Sequence, residues 1–230
     1  SLAPLAERGH AVERLDAAAL RRRFPAWNAD RYPDGYYNPQ GGYAESGRVV
    51  AWLLGEAGAA GVEVLAGAGV VALVGEERVT GARLTDGTVR AADAVVIAAG
   101  SWTQALLPEL RPDLVANGQP VFHLRPDDPA LFAAGRFPVF AADISTTGWY
   151  GFPLHRDGVV KIANHGPGRR LDPVADPREV NAAEEAALRA FLADSLPALA
   201  RAPIVRRRQC VYGDSRDAHF WIARHPTREG

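Results

Sequence analysis

The chain has 230 residues, 47% of them hydrophobic, and a formal net charge of −1. That is enough apolar material for one large core or two smaller ones, and the near-zero charge argues against nucleic acid or an anionic membrane as partner. No apolar run is long enough to cross a bilayer, and the single Cys excludes an internal disulfide, which fits a cytoplasmic setting.

There is no Met, so Ser1 is not a translation start, and no signal-peptide pattern opens the chain. With the turn-like end His225-Pro226-Thr227-Arg228-Glu229-Gly230, this reads as an internal piece of a longer protein. The first element is a short helix, Leu15 to Phe24, capped by Asp16 and stopped by Pro25. The segment Asp34 to Tyr43 is turn-rich and aromatic, either a pocket lining or a packed loop. Ser46 caps a second helix running to about Gly61, with Val49, Val50, Leu53, Leu54 and Ala57 as its apolar stripe. Val62-Glu63-Val64-Leu65 follows as a strand, and a helix leading directly into a strand is an α/β signature. Val70 to Val74, Val79 to Leu84 and Val89 to Ala91 form a meander, turned at Gly75-Glu76-Glu77-Arg78 and Asp86-Gly87. The unbroken apolar run Ala94 to Gly100 suits a parallel strand covered on both faces. A helix starts after it at Ser101, the place where open α/β sheets bind ligands.

Beyond Leu110 the pattern changes to short strand candidates between Pro and Gly, which predicts a mostly antiparallel second domain. Its strands are Gln119 to Leu124, Val139 to Ala142, and a hairpin around Asp157-Gly158. With a two-residue loop there, Leu154 faces Lys161, Phe152 faces Ala163 and Tyr150 faces His165. Alternation then projects Tyr150, Lys161 and His165 from one face. Asp176 to Glu179 has a capping-box signature, with a helix to about Leu196 and Val180, Ala183, Ala187, Leu188, Phe191 and Leu192 turned inward. A last strand, Ile204 to Tyr212, puts Arg208, Cys210 and Tyr212 on one face, and His219 to Ile222 begins another. The triplets Arg21-Arg22-Arg23 and Arg206-Arg207-Arg208 read as solvated faces.

Of the 26 basic residues, Lys161 is the single lysine; the rest are Arg. A lysine kept where arginine is used everywhere else points to a site needing a compact amine or a shiftable pKa; the alternative is chance retention on a hairpin rim. No Cys or His pair has metal-ligand spacing, no Gly-x-Ser-x-Gly elbow occurs, and no phosphate-cradling Gly-rich loop follows a strand.

In order and spacing, five motifs resemble the flavin amine oxidases of the monomeric sarcosine oxidase and N-methyltryptophan oxidase family. They are the Gly41-Gly42-Tyr43 loop, Val95 to Trp102, Tyr150-Gly151-Phe152-Pro153, Lys161 to His165, and Cys210-Val211-Tyr212 leading to His219 to Ile222 and Arg224-His225-Pro226. The resemblance runs from about Asp16 to Gly230. It implies an α/β plus α+β fold: part of a three-layer FAD-binding domain with an inserted, mostly antiparallel substrate domain carrying helices on one face. Residues 44–114 would be part of the FAD domain, whose N-terminal dinucleotide βαβ unit is absent here. Residues 1–43 and 115–222 would form the substrate domain, and 223–230 the return to the FAD domain. FAD is the implied cofactor; Cys210 matches the Cys that bonds covalently to the flavin ring, Val70 and the Ala99-Gly100 turn would contact the adenosine half, and Trp102 is a further cofactor-binding residue. Lys161 is implied to assist oxygen reduction, Tyr150 and His165 to face the substrate amine, and Tyr212 to line the substrate side. The implied reaction oxidises a secondary amine, an N-methyl or cyclic amino acid, to an imine and reduces O2 to H2O2. A D-amino acid, glycated amino acid or 2-hydroxy acid oxidase, or a truncated inactive piece, are the alternatives. The expected partners are a small amine and O2, with no nucleic acid or membrane, on a monomer.

Overall fold

The structure, a computed structural model, describes residues 3–230. In chain order it begins with α1 (Ala3–Glu7), β1 (Glu13–Asp16), α2 (Ala17–Arg23), β2 (Asp34–Tyr37) and α3 (Ser46–Ala59). The strands β3 (Val70–Val74), β4 (Gly81–Leu84) and β5 (Val89–Ala91) follow, then α4 (Thr103–Leu106) and β6 (Leu114–Leu124). Next come β7 (Phe140–Ala141), α5 (Ile144–Thr147), β8 (Trp149–Phe152), β9 (Val160–Asn164) and β10 (Arg169–Arg170). The chain finishes with α6 (Ala182–Ser195) and β11 (Ile204–Ser215). It divides into two compact units.

The first unit takes the described residues up to Tyr43, then Gly118–Arg169 and Pro177–Cys210. Its body is a sheet of order β10-β6-β9-β8-β7, with β11 also pairing β6. The β6–β9, β9–β8 and β8–β7 pairs are antiparallel. One sheet face is packed. Phe122, Leu124, Val160 and Ile162 are fully buried against Leu188, Leu192 and Leu196, the inward side of α6 and its end. Trp149 stacks on Phe191 with ring centroids 5.1 Å apart. Each such side chain contributes roughly 1.5–3 kcal/mol by leaving water. Helix α6 therefore holds the sheet, and the side chains at alternate positions, Lys161 among them, point away from it.

Two expectations for this unit are corrected. The helix does not start at the Asp176 to Glu179 signature. Its cap is Asn181, whose side chain accepts from the Glu184 N–H, while the Glu184 carboxylate accepts from the Asn181 N–H. Asp176 is occupied otherwise, accepting from the Asp172 N–H at 2.8 Å. Ala183 and Ala187, expected inward, are exposed, because the buried face is the one carrying Leu188, Phe191, Leu192 and Ser195. Asn181→Ala is expected to cost about 1–2 kcal/mol, read as a lowered urea midpoint at constant m.

The hairpin is also shifted. Phe152 pairs with Lys161, Tyr150 with Ala163 and Trp149 with Asn164, two residues from the expected register. The Asp157-Gly158 turn is wider than two residues: the His155 N–H donates to Val159 O, and Gly158 alone takes a left-handed φ of +76°. A slip of two preserves sidedness, so Tyr150 and Lys161 still share a face.

Near the N-terminus, Asp16 caps α2 as expected, accepting from the Ala19 N–H at 2.8 Å. Asp34 to Tyr37, part of the predicted turn-rich loop, pairs with β1. Leu15, Leu20, Phe24 and Ala29 form a second small core.

The second unit takes Ala44–Asn117, Arg170–Asp176 and Val211–Gly230. Residues 211–222, read from the sequence with the antiparallel body, pack here: Asn117 donates to the Asp214 carboxylate at 2.7 Å, and Arg216 pairs with Asp113. The meander β3-β4-β5 forms as expected, and Gly61, at a φ of +84°, stops α3. The cap of α3 is Glu45 rather than Ser46, with no side-chain capping bond. Three predicted strands are absent: Val62 to Leu65, Ala94 to Gly100 and His219 to Ile222 have no strand pairing among the described residues. A strand needs a ladder partner as well as an apolar sequence. Without one these segments are open to water, Val96 at 91% and Phe220 at 101% exposure, and the α3 stripe is exposed along with them.

Candidate functional site

Lys161 lies in β9, the strand between β6 and β8. Directly opposite it on β8 is Phe152, and opposite on β6 is His123. All three therefore project from the sheet face that α6 leaves open. The Lys161 Nζ sits 4.5 Å from the Phe152 ring centroid, a cation–π contact. Tyr150, one pair further along, meets the Phe152 ring edge-on at 5.8 Å.

Strand β11 completes the group. Its odd positions pack toward α6: Gln209 is buried and donates to Glu184 at 3.3 Å, and Arg207 makes two bonds to Glu185 at 2.9 and 2.7 Å. Its even positions, Arg206, Arg208 and Cys210, face the other way. Arg206 Nε donates to His123 Nδ1 at 3.4 Å, and Arg208 and Cys210 lie near enough to influence the Lys161 amine. All three residues of the Arg206-Arg207-Arg208 triplet are exposed, as expected, with Arg206 and Arg208 on one side of the strand and Arg207 on the other. The lone lysine and the lone cysteine share one side of one sheet, as does the third arginine.

The electrostatics follow from this geometry. Burial pushes the Lys161 amine below its ordinary range; the Cys210 sulfur pulls the other way and Arg208 adds to the lowering. His123 is lowered to about 4, first by burial, then by the positive charges of Arg206 and Lys161. It is therefore neutral near pH 7, and the unfolded chain binds its proton more readily than the folded one. The stability this contributes is complete above about pH 6.5 and is lost as pH falls toward 4. His123→Gln is expected to flatten that acid limb by roughly 1–2 kcal/mol after solvent screening, measured as urea midpoints at two pH values.

The other predicted residues fall as follows. His165 lies past the end of β9 and is exposed; its N–H donates to Gly148 O at 2.7 Å. In the ladder Tyr150 lies opposite Ala163, not opposite His165 as expected. His165 borders a cavity of about 380 Å³ with Thr146, Thr147, Gly148 and Asn164. Tyr212 is two residues beyond Cys210 on β11 and belongs to the second unit. In that unit Val70 opens β3, and Ala99-Gly100 begins a tight 3-10 turn through Trp102. Gly100 has a φ of +55°, and the space where a Cβ would stand is empty. Ser101 is buried with its hydroxyl unpartnered, and a Cβ on Gly213 would stand 3.2 Å from its backbone. His123, Arg206 and Phe152 were absent from the sequence-predicted set. The available signal was His123 itself, one polar residue between Phe122 and Leu124 in a buried strand. Among the described residues no His, Cys, Asp and Glu cluster could hold a metal, and no helix is long and apolar enough to cross a membrane.

A match to the FAD dependent oxidoreductase family covers residues 2–230. The chain belongs to this family. Curated relatives include the N-methyl-L-tryptophan oxidases of Yersinia pestis (strain Pestoides F) and Yersinia pseudotuberculosis (serotype O:1b, strain IP 31758). Each is 29% identical over 224 residues, 95% of this chain and 58% of the relative. The chain thus spans a little over half the length of the curated relatives it matches. Its fold is that of solved fructosyl amine and fructosyl peptide oxidases. Amadoriase I from Aspergillus fumigatus superposes with a TM-score of 0.80 at 24% identity, over 95% of this chain and 54% of that one. A thermally stable mutant of fructosyl peptide oxidase gives 0.82 at 20% identity, over 99% and 59%. For this family FAD is the cofactor whose fit matters. In the first unit a half-buried amine and a thiol face the same side of one sheet. The second unit, taken by itself, has an open glycine turn next to a buried hydroxyl without a partner, which suits a polar ligand group.

Proposed function

We propose that the chain is part of an FAD-dependent oxidase that converts a secondary amine, an N-methyl or cyclic amino acid, to an imine while O2 is reduced to H2O2. The observation that carries this is that Lys161 on β9 and Cys210 on β11 belong to one sheet and face the side away from α6, within a chain of the FAD dependent oxidoreductase family. The relatives at 29% identity are N-methyl-L-tryptophan oxidases, which supports a secondary amine over a 2-hydroxy acid.

When bound, FAD supplies the two-electron redox chemistry. Residues of the first unit that would hold it are Cys210, through a thioether, and Lys161; those of the second are Val70, Ala99, Gly100 and Trp102. In this reading 44–114 belongs to the FAD domain and the antiparallel sheet to the substrate domain. The Lys161 ammonium offers a fixed positive charge where negative charge develops during oxygen reduction, and partial burial makes that charge more effective. Phe152 and Tyr150 border the amine with aromatic surface that keeps water back. Tyr150 and His165 offer polar groups to a substrate nitrogen, which must be in its neutral form to lose electrons.

The test is anaerobic mixing of the FAD-loaded protein with an N-methyl amino acid, a D-amino acid, a glycated amino acid and a 2-hydroxy acid. Bleaching of the flavin band by the N-methyl compound alone is expected. Bleaching by the hydroxy acid but not by any amine overturns the reading. Acid precipitation checks the attachment: colour stays in the pellet for the parent chain and moves to the supernatant for Cys210→Ser.

A further inference from the structure

Lys161 is flanked on both sides, across the strands, by a ring. Phe152 stands opposite it on β8, 4.5 Å from Nζ at the centroid, and His123 stands opposite it on β6. The imidazole is in turn held from β11, because Arg206 Nε donates to its Nδ1 at 3.4 Å, which leaves the ring proton on Nε2. We propose that His123 is a positioning residue for Lys161: with Phe152 it brackets the amine across the open sheet face and so fixes both its direction and its access to water.

A ring on each side limits the lysine stem to the lane between β6 and β8, and removes the water that would otherwise solvate the ammonium from the flanks. The partners differ in kind. Phe152 attracts the ammonium through its π face. His123 lacks that hydrocarbon face but is kept uncharged by its setting, so it does not repel the amine at neutral pH. The charged and titratable groups around His123 are Arg206 from β11, Lys161 from β9, and His155 and Asp157 from the turn; Asp157 is the only one favouring its protonation. An arginine or a protonated histidine at 123 would place a cation directly opposite another.

The chain has one lysine, so lysine labelled with 13C at Cε gives a single side-chain signal, and its titration is read without flavin, substrate or oxygen. The parent midpoint is expected below 10.5. His123→Ala should raise it by about half a unit or more toward the ordinary value, and His123→Phe should leave it near the parent. Coincident curves for His123→Ala and the parent, or a shift in His123→Phe as large as in His123→Ala, overturn the proposal. The coupling must also run backwards: Lys161→Met should raise the His123 midpoint, followed by its ring C–H signal, and an unmoved signal overturns it even should His123→Ala fail to fold. Only the catalytic consequence rests on the amine oxidase reading. Unchanged oxygen reactivity in Lys161→Met would sink that reading and leave the bracket standing.

Discussion

Lys161→Met is expected to slow reaction of the reduced, FAD-loaded enzyme with O2 by about a hundredfold or more, while reduction by substrate changes by only a few fold. The asymmetry follows from what the substitution removes. Methionine keeps the length and most of the volume of the side chain, so packing against Phe152 and His123 survives and the fold should lose no more than about 1 kcal/mol. What goes is the positive charge on the face shared with Cys210. A charge acts where charge changes, and in the proposed reading the oxygen step is the one that builds negative charge beside it. Stopped-flow measurement of the two half-reactions separates the outcomes: equal slowing of both overturns the assignment.

Gly151→Ala is expected to cost about 2–3 kcal/mol, an effect that comes from the sheet and not from the chemistry. A Cβ at this position would stand 2.7 Å from the Lys161 carbonyl oxygen, 2.7 Å from Phe140 Cε1 and 2.8 Å from Ile162 Cδ1. The ring and the isoleucine tip have some freedom, but the carbonyl belongs to the β8–β9 ladder. Relief therefore requires the two strands to part at the Gly151–Ile162 pair, next to Lys161. The expected signs are a lowered urea midpoint and a Lys161 side-chain signal displaced from the parent position. An unchanged midpoint would mean that the strands are more loosely joined than the contacts indicate.

How much of this was legible in the sequence depended on whether the signal was local. Asp16 caps α2 and Gly61 ends α3, because capping and left-handed glycines are decided within a few residues. The sidedness of Lys161 and Cys210 was legible too, since alternation along a strand needs only the strand. The capping box was misplaced because two candidates share one spacing, Asp176 to Glu179 and Asn181 to Glu184, and the Asp172 turn had already taken Asp176. Val62 to Leu65 and Ala94 to Gly100 have the composition of buried strands, but composition reports a demand for burial and is silent about the partner that meets it. His123 was passed over for a related reason. Its meaning depends on β9 lying beside β6, a pairing between segments almost 40 residues apart that no local pattern encodes.

The two-residue slip in the hairpin has one more consequence. The side from which the amine emerges is dictated by its neighbours β6 and β8, and the reversal between Pro153 and Val159 merely returns the chain to them. Lengthening or shortening that reversal at its exposed tip should therefore be tolerated, since the ladder on either side reimposes the same orientation. A stretch tolerant of changes in length would then sit a few residues from the single lysine, whose side the ladder keeps fixed.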